Sequence, residues 1–355
     1  VDAWGDAGAT PDSLGDVGVE LRALGGGVVV TRVAPGSPAD AMGVRPGYLL
    51  ERVGTLEVAP YLRQRLVGVD SAARPLARLR ALLALQARLE GQAGSLVRLG
   101  LRDGRGRQLH VLLPRRAVTD PVVRFGHLPP QHVRFASARY ADERGCVGLV
   151  RFNTWMTPVM PRLDDAMVEF RHCRGLVIDL RGNLGGVAAM VMGMGAYFVD
   201  SVASLGTMHT RGGTLRYVAS PRGSDRHGRP LAPFAGGVAI LVDAHSASTS
   251  EIFAAGLQVL GRARVFGEPT AGQALPSMLA PLPNGDVMQH VVADFTAPNG
   301  RRLEARGVIP DAFIPLRRDA LLAGRDEPLL AALAWLDQRT IATPAAPGAG
   351  RPPLR

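Results

Sequence analysis

The second half of the chain alternates short apolar runs with segments of helical spacing, and this alternation constrains the fold more than any other feature. Runs rich in Val, Ile and Leu are typical of buried strands, and they predict strands at 147–152, 175–180, 238–242 and 263–267. The segments between them predict helices, and strands that alternate with helices pair in parallel. The pattern predicts an α/β layer with a mostly parallel sheet, with helices over 163–170, 188–198 and 250–258 and a further strand over 288–295.

The first half of the chain has a different pattern of short strands, turns and one long Leu-, Ala- and Arg-rich stretch. Strands are predicted over 15–21 and 28–33, a turn with a short helix over 35–41, and a hairpin over 96–113. Residues 62–90 carry apolar side chains at helical spacing with Arg on the other face, which predicts one or two amphipathic helices.

With 355 residues the chain is long enough for two hydrophobic cores. We expect a first domain over 15–116 and a second over 145–340, joined by a proline-containing linker over 117–144 that holds one edge strand. Residues 1–14 are expected to be a disordered or truncated stub. Residues 341–355 are expected to be a disordered tail, because Ala, Pro, Gly and Arg bury too little apolar surface to offset chain entropy.

Composition argues against several classes of protein. No apolar run approaches the roughly 18 residues of a membrane span, so no integral membrane segment is predicted. The Arg residues are scattered and aromatic residues are only 5%, which argues against nucleic acid as a partner. Cys146 and Cys173 lack metal-ligand spacing and are expected to be small buried apolar residues, so neither a metal nor another cofactor is predicted.

All 41 basic residues of the chain are Arg, and the sequence contains no Lys. A buried Lys can lose its proton and act as a base, whereas Arg stays protonated at any working pH. A Ser/Lys catalytic dyad is therefore chemically impossible within this chain.

The first half resembles a PDZ domain. The resemblance rests on Gly15-Asp16-Val17-Gly18-Val19, on Pro35-Gly36-Ser37-Pro38-Ala39 and on Gly43-Val44-Arg45-Pro46-Gly47. It implies that Val17, Gly18 and Val19 form a loop whose backbone N–H groups bind the terminal carboxylate of a peptide, which adds a strand to the open sheet edge. The alternative, that these glycines only make turns, stays open.

The second half resembles the core of the S41 family of carboxyl-terminal processing (tail-specific) serine peptidases, which implies an α/β core of the ClpP/crotonase-like type. Five sequence blocks occur in the order of that family. They are Gly148-Leu149-Val150-Arg151-Phe152, Val177-Ile178-Asp179-Leu180-Arg181-Gly182-Asn183-Leu184-Gly185-Gly186, Ser246-Ala247-Ser248-Thr249-Ser250-Glu251-Ile252, Gly267-Glu268-Pro269-Thr270-Ala271-Gly272 and Gly307-Val308-Ile309-Pro310-Asp311.

The resemblance implies that Ser248, three residues before Glu251, is the nucleophile. A hydroxyl at a helix N-terminus lies in the positive end of the helix dipole, where a developing alkoxide is favoured. Ser246 and Ser250 are close enough to confuse this assignment, and helix capping is the alternative for both, above all for Ser250 with Glu251.

A tetrahedral intermediate needs two N–H donors for its oxyanion. The expected donors are the N–H of Thr249 and that of Gly185 or Gly186, in a glycine turn at the end of a strand. Asp179 and Arg181 flank this turn and are expected to be structural.

The general base of the resembled family is a Lys 25 residues after the nucleophile, and Gln273 occupies that position here. An amide cannot take the proton of a Ser hydroxyl. Glu304 matches a Glu of the related tricorn-type branch, and His245 and His290 are further candidates, although a structural His is the more common role.

Three functions therefore stay open. The first is a serine endopeptidase that captures peptide or unfolded protein C-termini in a PDZ groove and cleaves them with Ser248 and an unusual base. The second is a catalytically silent peptide binder, motivated by Gln273. The third, by fold analogy alone, is a carrier of a small apolar ligand as in retinoid-binding relatives. The resemblance implies an exported location in bacteria, although no signal peptide is visible in the sequence.

Overall fold

The computed structural model describes residues 13–71, 73–124, 126 and 130–342. The first half of the chain contains an antiparallel sheet, formed by the short strands, and flanking helices, formed mainly by the amphipathic stretch. The elements are β1 (Leu14–Asp16), β2 (Val19–Leu24), β3 (Gly27–Val33), α1 (Pro38–Ala41), β4 (Leu49–Val53), β5 (Leu56–Glu57), α2 (Val58–Leu66), α3 (Arg74–Leu89), β6 (Gly91–Gln92), β7 (Leu96–Arg102), β8 (Gln108–Pro114) and β9 (Arg116–Ala117).

The main sheet of this half has the strand order β2-β3-β4-β7-β8, with β5 paired to β4, so β2 is an edge strand. Leu82, Leu85 and Leu89 of α3 belong to one buried cluster with Leu21 of β2, which holds the helix against that edge. The stretch at 62–90 forms two helices, and the hairpin at 96–113 is confirmed as β7 and β8. The strand expected over 15–21 is broken at Gly18, whose φ of +77° cannot continue a strand.

The second half contains the remaining elements. They are β10 (Val122–Val123), β11 (Gln131–His132), β12 (Phe135–Asp142), β13 (Gly145–Phe152), α4 (Val159–Phe170), β14 (Gly175–Asp179), α5 (Met190–Gly195), β15 (Ala203–Thr210), β16 (Gly213–Ala219), β17 (Gly237–Val242), α6 (Thr249–Val259), β18 (Ala263–Gly267), β19 (Ser277–Pro281), β20 (Val287–Val291), β21 (Ala293–Thr296), β22 (Ala312–Phe313), α7 (Arg318–Leu322) and α8 (Glu327–Ala342).

A six-stranded sheet with the order β12-β13-β14-β17-β18-β22 forms the centre of this half. The pairs from β13 to β22 are all parallel, and only β12 is antiparallel. Every residue of β14 is buried, as expected of a strand covered on both faces. One face packs on α4, α5 and α6 and the other on α8, so the predicted mixed α/β fold with a mostly parallel sheet is confirmed.

Several elements differ from the sequence predictions. The ribbon β15–β16 and the helix α8 were not predicted. The strand expected over 288–295 is two strands, because β20 pairs with β19 in an exposed hairpin while β21 pairs with β15. The expected linker contains the short strands β10 and β11, which were not predicted, and β12, which is the edge strand expected there and pairs along its whole length with β13.

The ends of the chain lie largely outside the described residues. The expected stub at 1–14 is described only from residue 13, and Leu14 already begins β1. The expected disordered tail at 341–355 is described only to Ala342, which ends α8. Within the described ranges, no helix combines the length and apolar character that crossing a membrane requires.

The two cysteines correct one sequence prediction. Cys146 and Cys173 are buried, as expected, but they form a disulfide with an S–S distance of 2.00 Å. The bond joins the start of β13 to the segment after α4, across 27 residues of sequence. A bond that closes a loop of this length stabilises the fold mainly by restricting the unfolded chain.

Reduction of this disulfide is expected to lower the free energy of unfolding by about 3.5 kcal/mol, the loop-entropy value for a closed loop of this size. Urea denaturation of the oxidised and reduced chain, followed by tryptophan fluorescence, measures the difference. A double variant, Cys146→Ala with Cys173→Ala, serves as the control and should not respond to the reductant. Equal midpoints for the oxidised and reduced parent would contradict the prediction.

Candidate active site

Ser248 lies between the end of β17 and the start of α6, at the carboxyl edge of the parallel sheet. Its φ is 54°, in the left-handed region that residues other than glycine rarely occupy. The residue is half-buried rather than packed into the core. The local backbone therefore places a reachable hydroxyl at the positive end of a helix dipole.

The loop before Ser248 is held by a buried carboxylate. Asp243 Oδ1 accepts hydrogen bonds from the N–H groups of Gly182, at 2.9 Å, and His245, at 3.0 Å. The hydroxyl of Ser246 donates to the C=O of Leu180 at 2.8 Å. Ser246 is thus buried in a structural role and does not cap the helix.

Ser250 is also a structural residue. Its hydroxyl donates to the C=O of Asn183 at 3.0 Å and accepts from Trp155 Nε1 at 2.9 Å. The expectation that Ser250 caps α6 together with Glu251 is wrong, because Ser248 is the residue at the N-cap position and Ser250 lies inside the helix. Of the three neighbouring serines, only Ser248 is not buried.

The glycine turn at 183–186 lies directly against Ser248. A Cβ built on Gly185 would lie 2.7 Å from Cβ of Ser248 and 3.1 Å from the backbone nitrogen of Thr249. The hydroxyl of Thr249 donates to the C=O of Gly186 at 2.9 Å, and the N–H of Ala247 donates to the C=O of Asn183 at 3.0 Å. These bonds bring the predicted nucleophile and the predicted oxyanion turn together.

The backbone amides of this region differ in availability. The N–H of Gly185 donates to Asn183 Oδ1 at 3.0 Å and is therefore already bonded. Among the described residues, no acceptor is bonded to the N–H of Gly186 or of Thr249. Gly186 and Thr249 are thus the better pair of donors for an oxyanion, and Gly185 supplies the close approach.

The carboxylate of Glu251 is the main connection within the site, and its partners were not predicted from the sequence. Oε2 accepts from the N–H groups of Ser248, at 2.9 Å, and Gln273, at 3.0 Å. Oε1 accepts from the hydroxyl of Thr270, at 2.6 Å, and from the N–H of Gly272, at 2.8 Å. Burial raises the pKa of Glu251, and these four hydrogen bonds act in the opposite direction.

Gln273 lies beside Ser248 through its backbone. Its C=O accepts from the N–H of Ser248 at 3.0 Å, while its side chain is exposed. Glu304 lies next to this segment, because its Oε2 accepts from the N–H groups of Ala274, at 2.9 Å, and Leu275, at 3.2 Å. The position of the family Lys and the matching Glu are therefore both close to the loop that contacts the predicted nucleophile.

The two histidine candidates occupy different environments. Burial lowers the pKa of His245 from 6.5 to about 4, even though Asp243 acts to raise it, so the imidazole is neutral at pH 7. His290 lies in the exposed hairpin of β19 and β20. Within the described part of the chain, neither ring is hydrogen-bonded to Ser248.

Asp179 and Arg181 form a buried ion pair next to the glycine turn. Arg181 donates to both carboxylate oxygens of Asp179 at 2.8 Å and pairs with Asp326 at 2.8 Å. Burial acts to raise the pKa of Asp179, but Arg181 and Arg151 outweigh it and hold that pKa well below its usual range. Their contacts fit the structural role expected of them.

Arg22 of β2 connects the two halves of the chain at the site. Its Nε donates to Asp243 Oδ2 at 2.8 Å, so one carboxylate holds both the loop before Ser248 and a strand of the first half. A Cβ on Gly182 would lie 2.0 Å from Nη2 of Arg22, and Gly182 has a φ of +76°. The side chain of Arg22 thus crosses the glycine that leads into the oxyanion turn.

The predicted carboxylate-binding loop lies at the start of the edge strand β2. Val17 is buried and its C=O accepts from the N–H of Ala39 at 3.1 Å. The N–H of Gly18 donates to Asp16 Oδ1 at 3.0 Å, and Val19 is the first residue of β2. Among the described residues, no cluster of three or more His, Cys, Asp or Glu side chains is arranged to hold a metal ion.

Comparison with known proteins supports a peptidase core. Residues 146–314 match the model of peptidase family S41, a range that includes Ser248, Glu251, Gln273 and Glu304. The chain is 26% identical to carboxyl-terminal-processing peptidase 2, chloroplastic, of Arabidopsis thaliana over 294 residues, which is 81% of this chain and 50% of that protein. It is 22% identical to a CtpA-like serine protease of Staphylococcus aureus over 310 residues, 86% of this chain and 54% of that protein.

The chain thus spans about half the length of the curated relatives that it matches. Among solved structures, it is similar to the photosystem II D1 C-terminal processing protease with a TM-score of 0.53 and 24% identity, over 90% of this chain and 78% of the other. It is also similar to an S41 protease of Bacteroides fragilis with a TM-score of 0.57 and 16% identity, over 94% and 86% of the two chains. At these identities the solved structures show a shared fold.

Glu251→Gln is expected to lower the free energy of unfolding by about 2 kcal/mol, because in either orientation the new NH₂ group faces an N–H donor that loses its acceptor. Urea denaturation measures the loss. Glu268→Gln is the matched control, since the carboxylate of Glu268 is only half-buried. Equal losses for the two variants would show that the four bonds of Glu251 do not organise the site.

His245 is expected to make the fold less stable as the pH falls from 6.5 towards 4, because the unfolded chain takes up a proton there that the folded chain resists. Melting temperatures recorded across this range should fall more steeply for the parent than for His245→Gln. His290→Gln, a change at an exposed His, should follow the parent curve. Parallel curves for the parent and His245→Gln would mean that the imidazole is not shielded.

Proposed function

We propose that the chain is a serine-type endopeptidase, related to family S41 through residues 146–314, in which Ser248 attacks the carbonyl of a peptide bond. The observation that carries the proposal is the placement of Ser248, half-buried at the N-terminus of α6 and packed against Gly185. The N–H groups of Gly186 and Thr249 receive the oxyanion, because neither has another acceptor among the described residues.

The substrates of the proposed enzyme are peptides or unfolded proteins with a free C-terminus. Residues 15–116 act as a PDZ domain in this proposal, with Val17, Gly18 and Val19 near the chain end of the substrate. Two features support it: β2 is an edge strand, and α3 lies along its open side. An extended peptide would bind by adding a strand to β2.

The mechanism needs a base that accepts the proton of the Ser248 hydroxyl. Gln273 stands where the resembled family has its Lys, and its amide has no basic nitrogen. Glu304 and His245 are the titratable candidates. Glu304 bonds the N–H groups of Ala274 and Leu275, in the loop whose Gln273 contacts Ser248. We propose slow hydrolysis that depends mainly on the oxyanion donors, since such donors alone retain roughly 10³ to 10⁴ of catalysis over water.

A catalytically silent peptide binder is the second candidate function. The exposed side chain of Gln273 and the absence of Lys from the whole chain favour it. Such a protein would keep the groove and the fold but would leave Ser248 unactivated. The reactivity of Ser248 itself therefore separates the two candidates.

We place the protein in an oxidising compartment, as an exported protein would be. The disulfide between Cys146 and Cys173 supports this location, because structural disulfides persist outside the reducing cytosol. The placement agrees with the exported location that the family resemblance implies.

The parent chain is expected to react slowly with a fluorophosphonate probe at Ser248, and Ser248→Ala should not react. Gln273→Lys should increase the labelling rate about 10²-fold, the usual contribution of a general base. Mass spectrometry of the labelled peptide identifies the modified serine. Gln64→Lys is the matched control, because it adds the same charge at an exposed position of α2, in the first half of the chain.

The outcomes of this experiment separate the two functions. An inert parent together with a reactive Gln273→Lys would favour the silent binder. A strongly reactive parent with no gain from Lys would mean that another side chain already serves as the base. If neither chain reacts while both remain folded, the peptidase proposal fails.

A further inference from the structure

The open edge of β2 already has bonded partners within the chain. β2 pairs with β3 on one side, and on the other side its free backbone groups face α3. Gln86 of α3 donates from Nε2 to the C=O of Val19 at 2.8 Å. Its Oε1 accepts from the N–H of Leu21 at 3.0 Å. One side-chain amide thus bonds both an acceptor and a donor that a docking peptide strand would use.

The next group along the same edge is also bonded. The C=O of Leu21 accepts from Nη1 of Arg22 at 2.8 Å. Three consecutive groups of the strand edge, from the C=O of Val19 to the C=O of Leu21, are therefore satisfied without a ligand. An incoming strand would have to replace these bonds rather than fill empty sites.

The predicted carboxylate-binding loop has an internal carboxylate of its own. The N–H of Gly18 donates to Asp16 Oδ1 at 3.0 Å, and the other oxygen of Asp16 is bonded to Arg134. Gly18 itself can be no other residue, because a Cβ there would lie 2.2 Å from Cβ of Ser37. The loop thus holds a carboxylate at the position where a peptide end is expected.

We call the outer edge of β2 at Val19–Leu21, together with the face of α3 that carries Gln86, the β2–α3 groove. We infer that groups of the chain itself occupy its peptide-binding positions. The Gln86 amide takes the place of a peptide backbone, and the Asp16 carboxylate takes the place of a chain end. The inference rests on the proposed peptide capture at β2. A free C-terminus binds only after the Gln86 amide has left the strand, so breaking its two hydrogen bonds adds a free-energy cost to peptide binding. The apparent affinity for a peptide is reduced by the fraction of chains in which the amide is displaced.

The test compares peptide binding to full-length chains that all carry Ser248→Ala, so that the probe is not cleaved. The probe is a fluorescein-labelled decapeptide that ends in Val-Val with a free carboxylate, chosen because the side chains packed between β2 and α3, among them Leu21, Leu82 and Leu85, are apolar. Gln86→Met keeps the length of the side chain but removes both hydrogen bonds. The Gln86→Met chain should bind the peptide about tenfold more tightly than the chain that keeps Gln86, since the two hydrogen bonds of the amide no longer compete with the peptide for the edge of β2.

Gln64→Met, the same change at an exposed position of α2, is the control and should leave the affinity unchanged. Hydrogen exchange gives a second readout that needs no ligand. The amide of Leu21 should exchange more slowly in the Gln86 chain than in Gln86→Met, and circular dichroism confirms that the variant is folded.

Equal affinity for Gln86 and Gln86→Met would overturn the inference, as would a Leu21 amide that exchanges equally fast in both chains. If no chain binds the probe although Ser248 of the parent still reacts with the fluorophosphonate, the groove inference fails and the peptidase proposal stands. Tighter binding by Gln86→Met than by the Gln86 chain, together with an inert Ser248 in the parent, would leave the groove inference in place and favour the silent binder.

Discussion

The buried carboxylate of Glu251 is the interaction on which the rest of the site depends. The parallel order of β17 and β18 brings the loops that follow these strands to one edge of the sheet, as is usual for sites on α/β folds. Glu251 then fastens the two loops together, since it bonds Ser248 in the first and Thr270, Gly272 and Gln273 in the second. Without this carboxylate, the donors of Thr270, Gly272 and Gln273 would lose their acceptor, and the left-handed backbone of Ser248 would keep only its bond to the C=O of Gln273.

A second set of charges joins the two halves of the chain around the same loops. Arg22 bonds Asp243 from the side of β2, and Arg151 of β13 pairs with both Glu20 and Asp179. The charges alternate in sign along this contact, so that each desolvated ion has an opposite neighbour. The loop that presents Ser248 is consequently positioned by residues from both halves, and the edge strand that faces α3 contributes directly to it.

The sequence was sufficient for features that depend on local patterns. Alternating apolar runs predicted the parallel sheet. The family resemblance implied the position of Ser248 at the start of a helix, and it implied that Gln273, 25 residues later, lies near Ser248; the backbone bond between the two residues agrees with this. In each case the signal lies within one short segment or in a fixed distance between two segments.

Features that depend on contacts between distant segments could not be predicted in this way. Cys146 and Cys173 are 27 residues apart, and only the packing of α4 against β13 brings them together. Gln86 is 65 residues from Leu21 and looks like any polar residue on an amphipathic helix. Glu251 carries a familiar capping pattern, but its partners in the second loop are 19 to 22 residues away. The choice of Gly186 over Gly185 as a proposed oxyanion donor needed the structure as well, because only the bond to Asn183 distinguishes the two glycines.

The contact between Gly182 and Arg22 has a consequence for how such a chain can change over evolutionary time. The two positions lie in different halves of the molecule, and a side chain at 182 would collide with the guanidinium that bonds Asp243. A lineage that keeps the arginine in this position is therefore bound to the glycine. A domain exchange between distant relatives that brings in the arginine would succeed only with a partner half that has glycine at 182.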